Sequence, residues 1–190
     1  MEKTKEIKEN SMKKHVLIIS GSPRKNGNSQ ILCEKFQEGA KASGHHVDLI
    51  RLAEKQIGFC RACDGCMRNN GTCVLHDDMS DVLTIFQKAD VLVLATPIYF
   101  YGVTAQMKCF IDRTYPIWQN LGHKDVYYII SAGLGTDIIE RSLGDLDGFV
   151  EHLDHSAVND RVYAPNIMDA GLVKEYPQLL QQTYEMGKNV

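Results

Sequence analysis

Four cysteines, Cys60, Cys63, Cys66 and Cys73, follow one another as C-x2-C-x2-C-x6-C within fourteen residues. Three thiolates at intervals of three can wrap three corners of a cubane, and a fourth closes the cage, so the spacing suits a [4Fe–4S] cluster. Zinc also accepts four thiolates, but usually from two separated C-x2-C knuckles; metal-free thiols are the third reading. Gly65 and Gly71 are expected to supply the tight turns, and Arg61 and Arg68 to offset cluster charge. The two other cysteines, Cys33 and Cys109, fall on apolar helical faces, where a thiol behaves as a small buried hydrophobe.

A second group of residues suits an anion. Ser20-Gly21-Ser22-Pro23-Arg24-Lys25-Asn26-Gly27-Asn28-Ser29 links an apolar run to a helical pattern. Gly21 and Gly27 allow close backbone turns, Ser22, Asn28 and Ser29 offer donors, and a helix N-terminus adds free N–H groups and a favourable dipole. The segment has neither G-x-x-x-x-G-K-[ST] nor G-x-G-x-x-G, and Glu54 comes too late for a ribose carboxylate. A terminal monophosphate therefore fits better than a triphosphate or a dinucleotide, with simple helix capping as the alternative.

The third group suits a flat ring. Thr96-Pro97-Ile98-Tyr99-Phe100-Tyr101-Gly102 places three consecutive aromatics beside a proline and a glycine. Aromatic faces and backbone amides there could hold a planar heterocycle, or else cap the core or form a subunit contact. Ser131-Ala132-Gly133-Leu134-Gly135 is a flexible loop of the same kind.

Alternating elements must position these loops. Strands are expected at 15–20, 46–52, 90–95, 125–131 and 157–163, and helices at 28–42, 78–88, 104–118, 137–155 and within 174–188. The 90–95 run is the most continuously apolar and is expected at the centre of the sheet. Asp77 and Asp78 stand where a helix N-terminus favours negative charge. Five strands alternating with five helices predict a doubly wound parallel α/β sheet, whose ligands bind outside the carboxyl ends of the strands. The first, third and fourth loops would then meet at one edge.

The chain has 190 residues, 44% hydrophobic and 24% charged, with a net charge of −3. That is material for one globular core, at 15–190, behind a charged leader at 1–14. No basic field recommends nucleic acid, and apolar runs fall far short of the roughly 20 residues of a membrane span. Six cysteines without an export signal point to the cytoplasm. His45 and His46 are expected to be solvated, His76, His152 and His155 incidental, and Asp112 and Arg113 to close a helix-end ion pair or a subunit contact.

Gly21-Ser22-Pro23-Arg24 with Gly27-Asn28-Ser29, Ala89-Asp90, Thr96-Pro97-Ile98-Tyr99-Phe100, and Lys108 through Asp112-Arg113 resemble the NADPH-dependent FMN reductase family, nearest its iron–sulfur flavoprotein branch. The resemblance spans about residues 15–113 firmly and the remainder in outline. It implies a flavodoxin-like fold with strand order 2-1-3-4-5, bound FMN and a homodimer or homotetramer. It implies that Ser22, Arg24, Asn28 and Ser29 hold the phosphate. Pro97, Ile98, Tyr99, Phe100 and Gly102 would line the isoalloxazine, with a backbone N–H at flavin N5 and Gly133 nearby. It also implies that Cys60, Cys63, Cys66 and Cys73 ligate a [4Fe–4S] cluster. The function expected is electron transfer between NAD(P)H or a reduced carrier and a small acceptor such as a quinone or flavin, with the chemistry on FMN and no catalytic side chain. An electron carrier fed by ferredoxin through the cluster, and a flavin-binding module without turnover, are the alternatives.

Overall fold

The computed structural model describes residues 13–190; most of the 1–14 leader lies outside the described residues. Five strands, β1 (His15–Ser20), β2 (His46–Arg51), β3 (Val91–Pro97), β4 (Asp125–Ser131) and β5 (Ala157–Ala164), form one parallel sheet ordered β2-β1-β3-β4-β5. β3 is central and buried at every position, as its unbroken apolar run requires.

The described residues form seven helices, α1 (Asn28–Ala42), α2 (Gly65–Arg68), α3 (Met79–Lys88), α4 (Ala105–Arg113), α5 (Thr136–Arg141), α6 (Gly144–Val150) and α7 (Pro177–Lys188), of which all but the short α2 supply side chains to the cores on the sheet. One sheet face, carrying Val16, Ile18, Val93 and Ile129, is covered by Leu32, Cys33 and Phe36 of α1 and Met186 of α7. The other, carrying Leu17, Ile19, Leu94 and Tyr128, meets Phe86 of α3, Met107 and Phe110 of α4, and Leu146 and Phe149 of α6. Alternate residues of each strand thus enter different cores, the pattern of a sheet covered on both sides.

Two expected helices are shorter. Pro116 has no N–H to continue an α-helix, so the 104–118 segment ends at Arg113 and tightens into a 3-10 helix at Tyr115–Asn120. The 137–155 segment breaks into α5 and α6. The Ser142 hydroxyl donates back to the Ile138 carbonyl (2.6 Å), and Gly144 and Gly148 lower the helix propensity of the second half. His45, expected in solvent, is buried, its Nδ1 accepting from the Lys14 N–H at 3.1 Å. Cys33 and Cys109 are buried as expected, and burial pushes the Cys33 thiol up to about 12.

Candidate functional site

A cavity of about 300 Å³ opens at the carboxyl ends of β1, β3 and β4. This is the switch point of the sheet, where β1 leads out to β2 on one side and β3 resumes on the other. Ser22, Arg24, Gly27, Asn28 and Ser29 form one wall, Pro97 to Phe100 the second, and Ser131 to Leu134 the third. Ile167 and Met168, beyond β5, complete it; no local signal in the sequence distinguished them.

The first wall is the N-terminus of α1. Its N-cap is Gly27, which offers no side-chain acceptor, and its first turn carries no acid. The first-turn N–H groups therefore meet the cavity without an internal anion, the electrostatic condition for binding one. Ser29 Oγ lies 2.8 Å from Ser131 Oγ, joining this wall to the third, and Ser22 Oγ accepts from the Arg24 N–H at 3.3 Å. Arg24 donates to the Met168 carbonyl at 3.1 Å. Asn28 departs from expectation in its side chain. Its amide donates to the Asp169 carbonyl (2.9 Å) and its oxygen accepts from Val173 N–H (3.1 Å), so it fastens the 167–173 segment, while its backbone still opens the helix.

The second wall is a hairpin turn. Tyr99 and Gly102 exchange both backbone hydrogen bonds, at 3.0 and 3.1 Å, around Phe100 and Tyr101 at φ of +48° and +62°. Consecutive left-handed residues are the geometry of a type I′ turn, which normally takes Asn-Gly, and each bulky side chain there costs about 1–2 kcal/mol. Phe100 is nevertheless fully exposed, so no packing within the chain accounts for it. Gly102 closes this turn rather than lining the cavity, a correction to its expected place. Ile98, Tyr99 and Gly102 use their N–H groups inside the protein, while those of Phe100 and Tyr101 make no backbone bond.

Two threonines hold the first two walls together; Thr96 belongs to the expected aromatic loop, while the linking role of Thr104 had no signal in the sequence. Thr104, the N-cap of α4, is buried; its hydroxyl donates to the Gly21 carbonyl at 2.8 Å, and its N–H donates to Thr96 Oγ1 at 3.2 Å. Gly21 is required because a Cβ there would lie 2.8 Å from Thr104 Oγ1.

The cysteine segment lies beyond the far end of α4. Cys60, Cys63, Cys66 and Cys73 border one small cavity of about 30 Å³, together with Arg113, Val74, Leu75 and Pro116; Cys60 and Cys63 also face solvent. Ala62 (φ +49°), Asp64 (φ +52°) and Gly71 (φ +78°) make the turns. Gly65, expected to make one, instead begins α2 and clears Val74, whose Cγ1 would lie 2.6 Å from a Cβ. Arg113, only 2% exposed, grips Asp77 with two bonds (2.7 and 2.9 Å), donates to the Gly58 carbonyl, and places Nη2 3.7 Å from Cys73 Sγ. The guanidinium holds the Asp77 carboxyl below the usual carboxylate range. Asp112 pairs separately with Lys108 at 2.7 Å. Arg113 is the buried positive group beside the thiols, and Arg61, as expected, also lines their cavity; Arg68 donates instead to the Cys63 carbonyl at 2.8 Å.

Tetrahedral zinc at 2.3 Å from each sulfur would bring the sulfurs to about 3.8 Å of one another, whereas cubane corners stand farther apart. Among the described residues no three cysteine sulfurs lie within 4.8 Å of one another. With Cys60 and Cys63 exposed, Cys66 buried and Cys73 between, no tetrahedral single-ion site is preformed, and four thiolates at this spacing are a donor set that a cubane accepts.

Residues 14–166 match the family described as NADPH-dependent FMN reductase. The chain belongs to that family. An iron–sulfur flavoprotein of Archaeoglobus fulgidus is 36% identical over 120 residues, covering 62% of this chain and 54% of that one. Another iron–sulfur flavoprotein, from Methanocaldococcus jannaschii, is 36% identical over 102 residues, 54% of this chain and 52% of that one. The chain thus spans about half the length of the curated relatives it matches. Among solved structures, an NAD(P)H:quinone oxidoreductase from Methanothermobacter marburgensis superposes with a TM-score of 0.71 over 93% of this chain and 96% of that one, at 19% identity, which speaks for the flavodoxin-like fold. This FMN reductase family member carries its two candidate sites at opposite ends of α4, a helix of nine residues and about 14 Å.

Proposed function

We propose that the chain is an FMN-dependent oxidoreductase with its flavin in the cavity at the β1–β3 switch point. The observation that carries this reading is the meeting of an uncapped helix N-terminus with a strained, exposed aromatic turn. The first-turn N–H groups of α1, the hydroxyls of Ser22 and Ser29, and Arg24 bind the terminal phosphate; hydrogen bonds to a charged acceptor contribute about 1.5–3 kcal/mol each. Pro97, Ile98, Tyr99 and Phe100 support one edge of the ring, and Ala132, Gly133 and Leu134 the other. The free N–H groups of the turn, at Phe100 and Tyr101, are the donors available to the flavin edge. Bound FMN supplies the hydride and electron chemistry, so the protein's task is to orient it and exclude competing reactions.

The cysteine-lined cavity favours the version that also carries a [4Fe–4S] cluster, held by Cys60, Cys63, Cys66 and Cys73, with Arg113 offsetting its charge. A cluster makes a one-electron donor of the ferredoxin type suitable; NAD(P)H serving a quinone or free flavin is the cluster-free version. The same reading makes residues 15–190 one FMN-binding domain, acting in the cytoplasm as a homodimer or homotetramer. Exposed Phe100, Tyr115 and Trp118 support self-association, and among the described residues no helix is long and apolar enough to cross a membrane.

An anaerobic visible spectrum with iron and sulfide assays tests this. Resolved flavin bands over broad, dithionite-bleachable absorption are expected. Flavin bands without iron would remove the cluster and move the reading to an NAD(P)H-dependent reductase. A colourless chain that stays colourless with added FMN overturns both versions.

A further inference from the structure

A third group of residues lies at the opposite end of the sheet. His15 and His46 are register partners in the parallel β1–β2 pair, and Asp48 stands two residues beyond His46. Parallel partners point to one face, and so do residues two apart on a strand, so all three side chains share that face. Both imidazoles turn Nε2 toward one carboxylate oxygen: Asp48 Oδ2 lies 2.7 Å from His15 Nε2 and 3.4 Å from His46 Nε2. The rings stand 4.7 Å apart between centroids, tilted by 58°. Among the described residues this is the one group of three ligand atoms within 4.8 Å of one another.

We propose that His15, His46 and Asp48 bind a borderline divalent transition-metal ion of the Zn2+, Co2+ or Ni2+ type. Nitrogen and oxygen ligands about 2.0–2.2 Å from a metal are separated by about 2.9 Å at a right angle and about 3.4 Å at the tetrahedral angle. The two observed separations are close to these. A hydrogen bond from His15 accounts for the shorter one, but not for the turning of the more exposed His46 to the same oxygen. Two imidazoles and one carboxylate select borderline ions over Mg2+ or Ca2+, which take oxygen ligands.

The surroundings support the arrangement. Asp90 Oδ2 accepts from the His15 N–H at 2.8 Å and fixes the start of β1. Lys14, the adjacent cation, is directed to Asp125 at 2.8 Å. His46 side-chain exposure of 71%, against 21% for His15 and 34% for Asp48, leaves the site open to water on one side, so a fourth position stays available. β2 is an edge strand, and an ion shared by His15 and the two β2 ligands clips that edge to β1. The site lies at the amino ends of the strands, away from the proposed flavin cavity, and it stands or falls independently of that reading.

Anaerobic titration of the intact chain with Co2+ tests it, because nitrogen and oxygen ligation gives weak d–d bands while thiolates give intense charge-transfer absorption. One equivalent with d–d bands alone is expected at this site, with a raised unfolding temperature. His46→Ala and the isosteric Asp48→Asn should each weaken that component at least about tenfold, and Cys73→Ser should leave it unchanged. Either variant binding Co2+ as the parent does, Co2+ binding only with thiolate absorption, or no saturable binding would overturn the proposal.

Discussion

Arg113 shows what residue types in a motif can and cannot disclose. The spacing of the cysteines was legible because the four residues are local, but their buried cationic neighbour arrives from forty residues away through the fold. The expected helix-end ion pair of Arg113 proves to be a buried clamp on Asp77 that also reaches Cys73. Removing one partner of a buried pair leaves the other charge without compensation, at a cost of about 3–5 kcal/mol. Arg113→Met should therefore lower unfolding stability by that order in urea titrations at neutral pH. Asp77 titrates below its ordinary value in the folded chain, so its contribution is complete above the unfolded carboxylate value of about 4 and fades as pH falls through the folded one. The variant should lose this part of the acid-induced destabilisation, which stability measured at successive pH values would reveal. An unchanged acid limb would mean that the pair contributes little to folding.

At the scale of elements, periodicity located all five strands: β1, β3 and β4 because they are buried almost throughout, and the edge strands β2 and β5 because apolar positions recur between turn residues although much of β5 is exposed. It overextended two helices, because Pro116 and the Ser142 back-bond act within patterns that remain amphipathic. It also could not show that the Phe100-Tyr101 turn is left-handed, since nothing in those residue types favours that backbone. Nine of the ten expected cofactor residues line the cavity, and Gly102 instead closes the turn. Replacing the pair by Phe100→Asn and Tyr101→Gly supplies what a type I′ turn prefers. The flavin-free double variant should gain about 1 kcal/mol or more of stability while binding FMN more weakly, as read by denaturation and by fluorescence titration. Loss of stability instead would show that the aromatics are held by contacts rather than by function. Gly39 and Gly187 make a different demand, since they let α1 and α7 touch backbone to backbone. A Cβ on Gly39 would lie 2.0 Å from the Tyr184 carbonyl oxygen. Gly39→Ala must push the helices apart, and a loss of about 1–3 kcal/mol is expected in the same denaturation assay.

For the whole molecule, the two candidate sites differ in how they connect to the core. The cavity proposed for FMN is built on the ends of central strands, and its supporting residues Thr96, Thr104 and Met107 are fully or almost fully buried. The cysteine segment contributes no side chain between residues 59 and 76 to either hydrophobic core. It is fastened instead by Arg113, Asp77 and hydrogen bonds such as that from Gln56 N–H to Asp78 (2.8 Å). Segments with few core contacts open locally at lower free energy than the sheet. In the proposed cluster-bearing form, removing iron with a chelator should therefore raise amide exchange across 59–76 and leave protection in β1, β3 and β4 nearly unchanged. Removing flavin should act the other way, lowering the global unfolding temperature, since a ligand present at a hundred times its Kd stabilises by about 2.7 kcal/mol through mass action. Hydrogen exchange on the two depleted forms separates these effects. If chelation instead lowered protection throughout the sheet, the cysteine segment would be part of the folding core, and the division of labour along α4 would fail with it.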